Sequence, residues 1–226
     1  MTRVVDDRGS RRTARDAERL ARAARARGVR DDRLLGAIGR VPRARFVPAD
    51  VASGAYLDEP LRIPHGQVTT QPSLVAQVVE ALALTGDERV LEIGTGHGWQ
   101  TALLGKLARG VWSVERWPDM VETARANLER AGIANVHVVL GDGSEGLRGE
   151  APFDGVIVAA AFPRVPPPLA EQLSPGGRLV QPIGPGGDDD VVLFEKRPEG
   201  LVRVRSIVPA HFVRLYGRHG HPDPRP

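Results

Sequence analysis

Residues 89–101, RVLEIGTGHGWQT, constrain what this chain can fold into more than any other stretch. An apolar run, Val90, Leu91 and Ile93, ends at three glycines spaced Gly94-x-Gly96-x-Gly98, and a segment rich in Ala and Leu follows. The pattern predicts a strand, a tight glycine turn and a helix. Glycine permits positive φ and lets a flat or charged ligand reach the backbone with no Cβ in the way. The first turn of the helix adds unbonded N–H groups. The stretch reads as a nucleotide-type site, with a ligand-free glycine turn as the plainer alternative. It is not the dinucleotide fingerprint G-x-G-x-x-G, whose third glycine is replaced here by Trp99.

From Arg89 onward strand and helix signals alternate. VWSVE (111–115), VHVVL (136–140) and FDGVIVAA (153–160) read as strands; PDMVETARANLERAG (118–132), with Pro118 early and Gly132 as its stop, and PPLAEQL (167–173) read as helices. RLVQPI (178–183), VVLFEK (191–196) and LVRVRSIV (201–208) then follow with only turns between them. Alternation implies parallel strands joined by crossover helices, and the closing run implies antiparallel strands at one edge. The fold class expected is α/β: a doubly wound, mostly parallel, Rossmann-like sheet with antiparallel C-terminal strands and a helical N-terminal extension. Ligands should sit beyond the carboxyl ends of the strands.

At 226 residues the chain suits one full core with an appendage. Residues 1–12 are polar, of mixed charge, and read as disordered. Residues 13–70 form the extension. Within it, 13–27 predicts a helix without a deeply buried face, because large apolar side chains are few. Its Arg15, Arg19, Arg22, Arg25 and Arg27 read as a solvated face, since aromatics for stacking on nucleic acid are absent. DDRLLGAIG (31–39) predicts a short helix capped by Asp31 or Asp32. VPRARFVPAD stops it through Pro42 and Pro48. The stretch 56–71, YLDEPLRIPHGQVTTQ, has no sustained period and reads as a functional loop, and Pro72 opens the next helix. Residues 71–217 form the core, and 218–226, rich in His and Pro, read as a disordered tail.

Cysteine is absent, which excludes disulfide scaffolds and thiolate chemistry; His65, His97 and His137 show no ligand spacing and His219 and His221 sit in the polar tail, so no metal is expected. The net charge of +3 does not argue for nucleic acid. No stretch approaches the roughly 18 apolar residues of a membrane span. The expectation is a cytoplasmic monomer.

Three acids could serve a ligand. Glu115 closes the second strand, where a carboxylate can accept from two ribose hydroxyls; a surface acid is the alternative. Asp142, followed by Gly143, could accept from an adenine amino group, or be an ordinary Asp-Gly turn. Glu92 shares the face of Gly94 and could pair with an ammonium group directly or through water, or be a buried acid satisfied by backbone donors. Thr69 and Thr70 could cap the following helix or act in a site.

The acidic-x-G-x-G-x-G strand end resembles the loop of S-adenosylmethionine-dependent methyltransferases. More specifically, ARARGVRDDRLLGAIGRVPRARFVP (24–48), YLDEPLRIPHGQVTTQP (56–72), VLEIGTGHGWQTA, SVER, GDGSEG, FDGVIVAAA and SPGGRLVQPIG (174–184) resemble the protein-L-isoaspartate (D-aspartate) O-methyltransferases over most of residues 20–215. The stretch HGQ-x-x-[ST]-QP is much more specific than the glycine loop. The resemblance implies methyl transfer from S-adenosyl-L-methionine, leaving S-adenosyl-L-homocysteine, to the α-carboxylate of an L-isoaspartyl residue in a damaged protein or peptide. The ester then closes to a succinimide. It also implies that Thr70 is the active-site hydroxyl and that Gln67, Val68, Thr69, Thr70, Glu92, Gly94, Thr95, Gly96, Glu115, Asp142 and Gly143 fall on cofactor positions. His65, Gly66, Val213, Arg214 and Leu215 fall on substrate positions.

Three departures concern the substrate side. Ile63-Pro64 stands where the family commonly has Ile-Gly, Thr70 where it has Ser, and Val213-Arg214-Leu215 where it has Val-Pro-Leu. They motivate a second reading: a relative that methylates an aspartate of one ribosomally made peptide to form an aspartimide or isoaspartate.

Overall fold

The computed structural model describes residues 7–223. Seven strands form one sheet in the order β3-β2-β1-β4-β5-β6-β7. β1 (Arg89–Ile93), β2 (Gly110–Glu115), β3 (Val136–Leu140) and β4 (Phe153–Val158) run parallel, and β5 (Leu173–Ile183) pairs parallel with β4. β6 (Asp189–Arg197) and β7 (Gly200–Ala210) complete the edge as an antiparallel meander. The seven apolar runs are thus the seven strands. The order reverses between β1 and β4, and a crevice opens there beyond the strand ends.

The sheet is covered unequally. On one face Val90, Val111, Ile157 and Val180 pack with residues of α2 (Asp32–Arg40), α3 (Pro72–Ala81), α4 (Trp99–Leu107) and α5 (Pro118–Arg130). On the other, Leu91, Ile93, Val156 and Leu179 meet Leu169 of the five-residue α6 (Pro167–Glu171) and Leu215 of the C-terminal segment. Alternate residues of each strand feed the two faces, as the pleat requires.

The N-terminal extension is more helical and more deeply packed than its composition suggests. α1 runs from Asp7 to Ala26, so the expected disorder over 1–12 does not extend through 7–12; residues 1–6 lie outside the described residues. Ala17, Leu20 and Ala24 are all buried. Spaced three and four apart, they form a narrow stripe that brings α1 against α2 and α3. Small side chains let helices approach closely, which corrects the expectation of a shallow helix. α2 is capped by Asp31, whose carboxylate accepts from the N–H groups of Arg33 and Leu34. α3 begins at Pro72 as expected, but neither Thr69 nor Thr70 caps it: Asp58 accepts from the Ser73 N–H at 2.8 Å.

The C-terminal segment corrects a second expectation. Residues 218–223 are placed, not a disordered tail: the Arg218 N–H donates to Asp142 Oδ2 (2.7 Å), the His219 N–H to Ser144 Oγ (2.9 Å) and the His221 N–H to the Leu215 carbonyl (2.7 Å). The Arg116 guanidinium pairs with Asp223. Residues 224–226 lie outside the described residues.

Candidate active site

The crevice holds a pocket of about 1050 Å³, open to solvent at its mouth. Its floor is the end of β1 and the glycine turn. Gly94 has φ +92°, and a Cβ there would lie 3.3 Å from the Cβ of Ala159, so the turn is bare by necessity. Gly143 approaches more closely still: a Cβ there would come within 2.3 Å of Ile93 Cγ2. Glu115, at the end of β2, accepts from the Gly96 N–H through Oε2 (3.0 Å) and from the Arg116 and Trp117 N–H groups through Oε1 (2.8 and 3.2 Å). A carboxylate offers about four acceptor sites, so these three bonds leave one on Oε2. Burial pushes the Glu115 carboxyl up, and the three backbone donors pull against it. Ile93, Val114, Trp117 and Met120 give the pocket apolar walls.

The wall above the glycine turn is the arch 61–69. The Thr69 N–H donates to the Leu61 carbonyl (2.8 Å) and the Ile63 N–H to Gln67 (2.9 Å), closing a narrow loop with Pro64, His65 and Gly66 at its tip. His65, at φ +60°, stacks on Trp117 with ring centroids 3.8 Å apart, and its Nε2 lies 2.8 Å from Asp119 Oδ1. The arch is thereby pinned to the start of α5.

Of the residues singled out in the sequence, Gln67, Val68, Thr69, Thr70, Gly94, Thr95, Gly96, Glu115, Gly143, Val213, Arg214 and Leu215 all line this pocket. Four do not. His65 and Gly66 sit at the arch tip against Trp117. Glu92 is fully buried behind the turn, accepting from Gln100 Nε2 (2.9 Å), Thr101 Oγ1 (2.5 Å) and Ser113 Oγ (2.5 Å). It is a buried acid with side-chain rather than backbone donors, and its carboxylate does not line the pocket directly. Burial pushes its carboxyl up from the ordinary 4.5 to about 7. Ser113 Oγ also lies 2.6 Å from Thr95 Oγ1, so Glu92 supports the turn through two hydroxyls. Asp142 is engaged as well: Oδ1 accepts from the Ser144 N–H and hydroxyl, and Oδ2 from the Arg218 N–H. The C-terminal segment covers the carboxylate that the sequence suggested for adenine.

Arg43 was not anticipated. It is 1% exposed, and its guanidinium reaches the carbonyls of Ala55, Leu57, Glu59 and Thr70 and the hydroxyl of Thr69. Burial pushes its pKa down to about 10, which leaves it charged at neutral pH. One side chain thus gathers the whole loop 55–70. Thr69 Oγ1 also accepts from the Leu61 N–H, so this hydroxyl is structural. Thr70 Oγ1 has no hydrogen-bond partner among the described residues. Trp99, whose Nε1 donates to the Val41 carbonyl (3.2 Å), and Met120 line the pocket too, and helical periodicity alone marks both as core. Among the described residues no group of His, Asp and Glu is placed to hold a metal ion, and no helix is long and apolar enough to cross a membrane.

A bare glycine turn, an acid on the next strand and a crevice at the reversal of strand order fit a Rossmann-like fold of the S-adenosylmethionine-dependent methyltransferase class. A family model described as protein-L-isoaspartate(D-aspartate) O-methyltransferase matches residues 15–220. The protein-L-isoaspartate O-methyltransferase of Methanoculleus marisnigri is 48% identical over 196 residues, covering 87% of this chain and 89% of that one. That of Anaeromyxobacter dehalogenans is 50% identical over 190 residues, covering 83% and 91%. The chain belongs to the protein-L-isoaspartate (D-aspartate) O-methyltransferase family. Among solved structures, a protein-L-isoaspartate O-methyltransferase superposes with a TM-score of 0.81 at 31% identity, over 90% of this chain and 67% of that one. A Plasmodium falciparum structure described as a complex with S-adenosyl-L-homocysteine shares the fold, with a TM-score of 0.75 at 21% identity over 88% of this chain and 97% of that one.

Proposed function

We propose that this chain methylates the free α-carboxylate of L-isoaspartyl residues in proteins and peptides, with S-adenosyl-L-methionine as donor and S-adenosyl-L-homocysteine as product. The observation that carries the reading is that one pocket gathers the bare glycine turn, Glu115 and the Thr70 loop, all inside the span matched by the family model. The residues fit an adenosyl compound: Gly94 leaves no Cβ at the floor, Glu115 keeps one acceptor site for a hydroxyl, and Trp117, Met120 and Ile93 supply apolar walls for a flat ring.

When bound, S-adenosyl-L-methionine supplies a methyl group on a sulfonium, and the bond to sulfur breaks as the methyl bonds to a carboxylate oxygen. The protein's share is positional. A carboxylate with a reference pKa near 4 is already ionised at neutral pH, so no general base is required. Thr70 offers an uncommitted hydroxyl to orient that carboxylate, Arg43 fixes the backbone that presents it, and the arch pinned by His65 walls one side of the pocket. Glu115 holds ribose, while Gly94, Thr95 and Gly96 cradle the rest of the cofactor. Glu92 and Asp142 act behind this surface. The resulting ester cyclises to a succinimide without the protein.

The test is methyl transfer from labelled S-adenosyl-L-methionine to a short peptide carrying L-isoaspartate, beside its L-aspartate twin. Label in the isoaspartyl peptide alone is expected. Label in neither, with the cofactor still bound, would refute the reading and point to a dedicated peptide.

A further inference from the structure

Four charged side chains line the pocket: Arg43, Glu115, Arg116 and Arg214. Three have their partners within the protein. Arg43 is spent on loop 55–70, Glu115 accepts from three N–H groups, and Arg116 pairs with Asp223. Arg214 differs. Its Nε donates to the Pro185 carbonyl (3.0 Å), and neither Nη1 nor Nη2 has a partner among the described residues. It is an exposed residue lining the pocket, and therefore stands at the mouth.

This arginine is mounted rather than loosely solvated. Its stem lies over Gly186, where a Cβ would come within 2.5 Å of Arg214 Cγ. Gly186 has φ +91°, and its loop is fixed by the buried Asp189, which accepts from the Gly186 and Gly187 N–H groups (2.9 and 3.0 Å). The same carboxylate accepts from the Phe212 N–H (3.0 Å), so it ties the loop beneath the stem to the segment that carries it. On the other side of Arg214, the backbone is bonded to Ala161 in both directions: Ala161 N–H to Val213 carbonyl (2.7 Å) and Leu215 N–H to Ala161 carbonyl (2.8 Å). Arg214 and Thr70 line the same pocket, which brings this segment to the site where the Thr70 hydroxyl is offered.

With Nε occupied, the two Nη groups form an end-on fork that matches a carboxylate in two parallel hydrogen bonds. We propose that Arg214 makes the enzyme select isoaspartyl substrates that carry an acidic residue, Asp or Glu, directly beside the methylated one. The selection rests on the isoaspartyl reading above and deepens it. Because Arg214 is exposed, its contribution is that of a screened rim pair, about two- to fivefold in kcat/KM at low salt, fading as ionic strength rises.

The experiment compares isoaspartyl peptides with Glu or Gln on either side of the isoaspartyl residue, using wild type, Arg214→Gln and Arg214→Lys at low and high salt. Wild type is expected to favour a Glu peptide, mainly through KM. Arg214→Gln should bring the Glu-to-Gln ratio close to one. Arg214→Lys, which keeps the charge and loses the fork, should fall between. Equal efficiency of wild type on both peptides overturns the inference and leaves the isoaspartyl activity standing, as does a preference that persists in Arg214→Gln. Transfer to none of the isoaspartyl peptides refutes the activity itself, and the selection with it.

Discussion

Arg43 gives loop 55–70 its shape. Five acceptors, four carbonyls and one hydroxyl, converge on a guanidinium that water does not reach. Lysine keeps the charge but has three donors on one atom and cannot span positions from Ala55 to Thr70. Arg43→Lys should therefore strand at least one buried acceptor and lower stability by about 2 kcal/mol. Turnover should drop as well, because Thr69 and Thr70 lose their anchor. Urea denaturation and single-substrate kinetics on the purified variant check both, and a wild-type midpoint would mean the loop is held by other contacts. Nothing local distinguishes Arg43 from Arg45. Both lie in RAR between two prolines, yet one is buried and the other exposed. What buries Arg43 is a set of carbonyls up to 27 residues further on, and no local pattern encodes their arrival. Glu115 and the glycines were legible because strand, turn and acid follow one another at fixed spacing.

Among elements, the segment 217–223 departs furthest from its composition. It is held by its backbone: the N–H groups of Arg218, His219 and His221 find acceptors on Asp142, Ser144 and Leu215. Side-chain composition cannot reveal order that comes from main-chain donors. α1 makes the same point from the other end of the chain, since its buried stripe of Ala17, Leu20 and Ala24 is too small to register as a core face. Gly217 is the hinge of the C-terminal segment, with φ +143° and no room for a Cβ, which would lie 2.0 Å from Asp142 Oδ1. Gly217→Ala should lift the segment, speed hydrogen exchange at the Arg218 and His219 amides, and weaken S-adenosyl-L-homocysteine binding by disturbing the neighbouring Leu215 and Tyr216 wall. Exchange and calorimetry unchanged from wild type would mean the segment takes no part in shaping the pocket.

At the scale of the molecule, stability should carry the signature of Glu92. Its folded carboxyl titrates near 7 instead of the ordinary 4.5, so between those values the folded chain keeps a proton that the unfolded chain has released. Stability then falls as pH rises from about 4.5 to about 7 and levels off above, by about 3 kcal/mol over the whole range. Glu92→Gln should flatten that slope in denaturation curves taken across the interval. The same slope in the variant would assign the titration elsewhere. The sheet itself was the most legible feature of all, because seven apolar runs, their alternation with helices and the closing run without them leave few ways to order the strands. What the pattern could not give was the unequal covering of the two faces, which depends on how closely a short α6 and the C-terminal segment can pack.

The pocket floor comes from the middle of the chain, but its mouth and wall include Val213 through Tyr216. A nascent polypeptide emerging from the ribosome can lay down the glycine turn and most of its sheet long before that wall exists. The pocket is completed only when residues 213–216 join a floor and arch already made, so full affinity for the donor is expected to arrive late in synthesis.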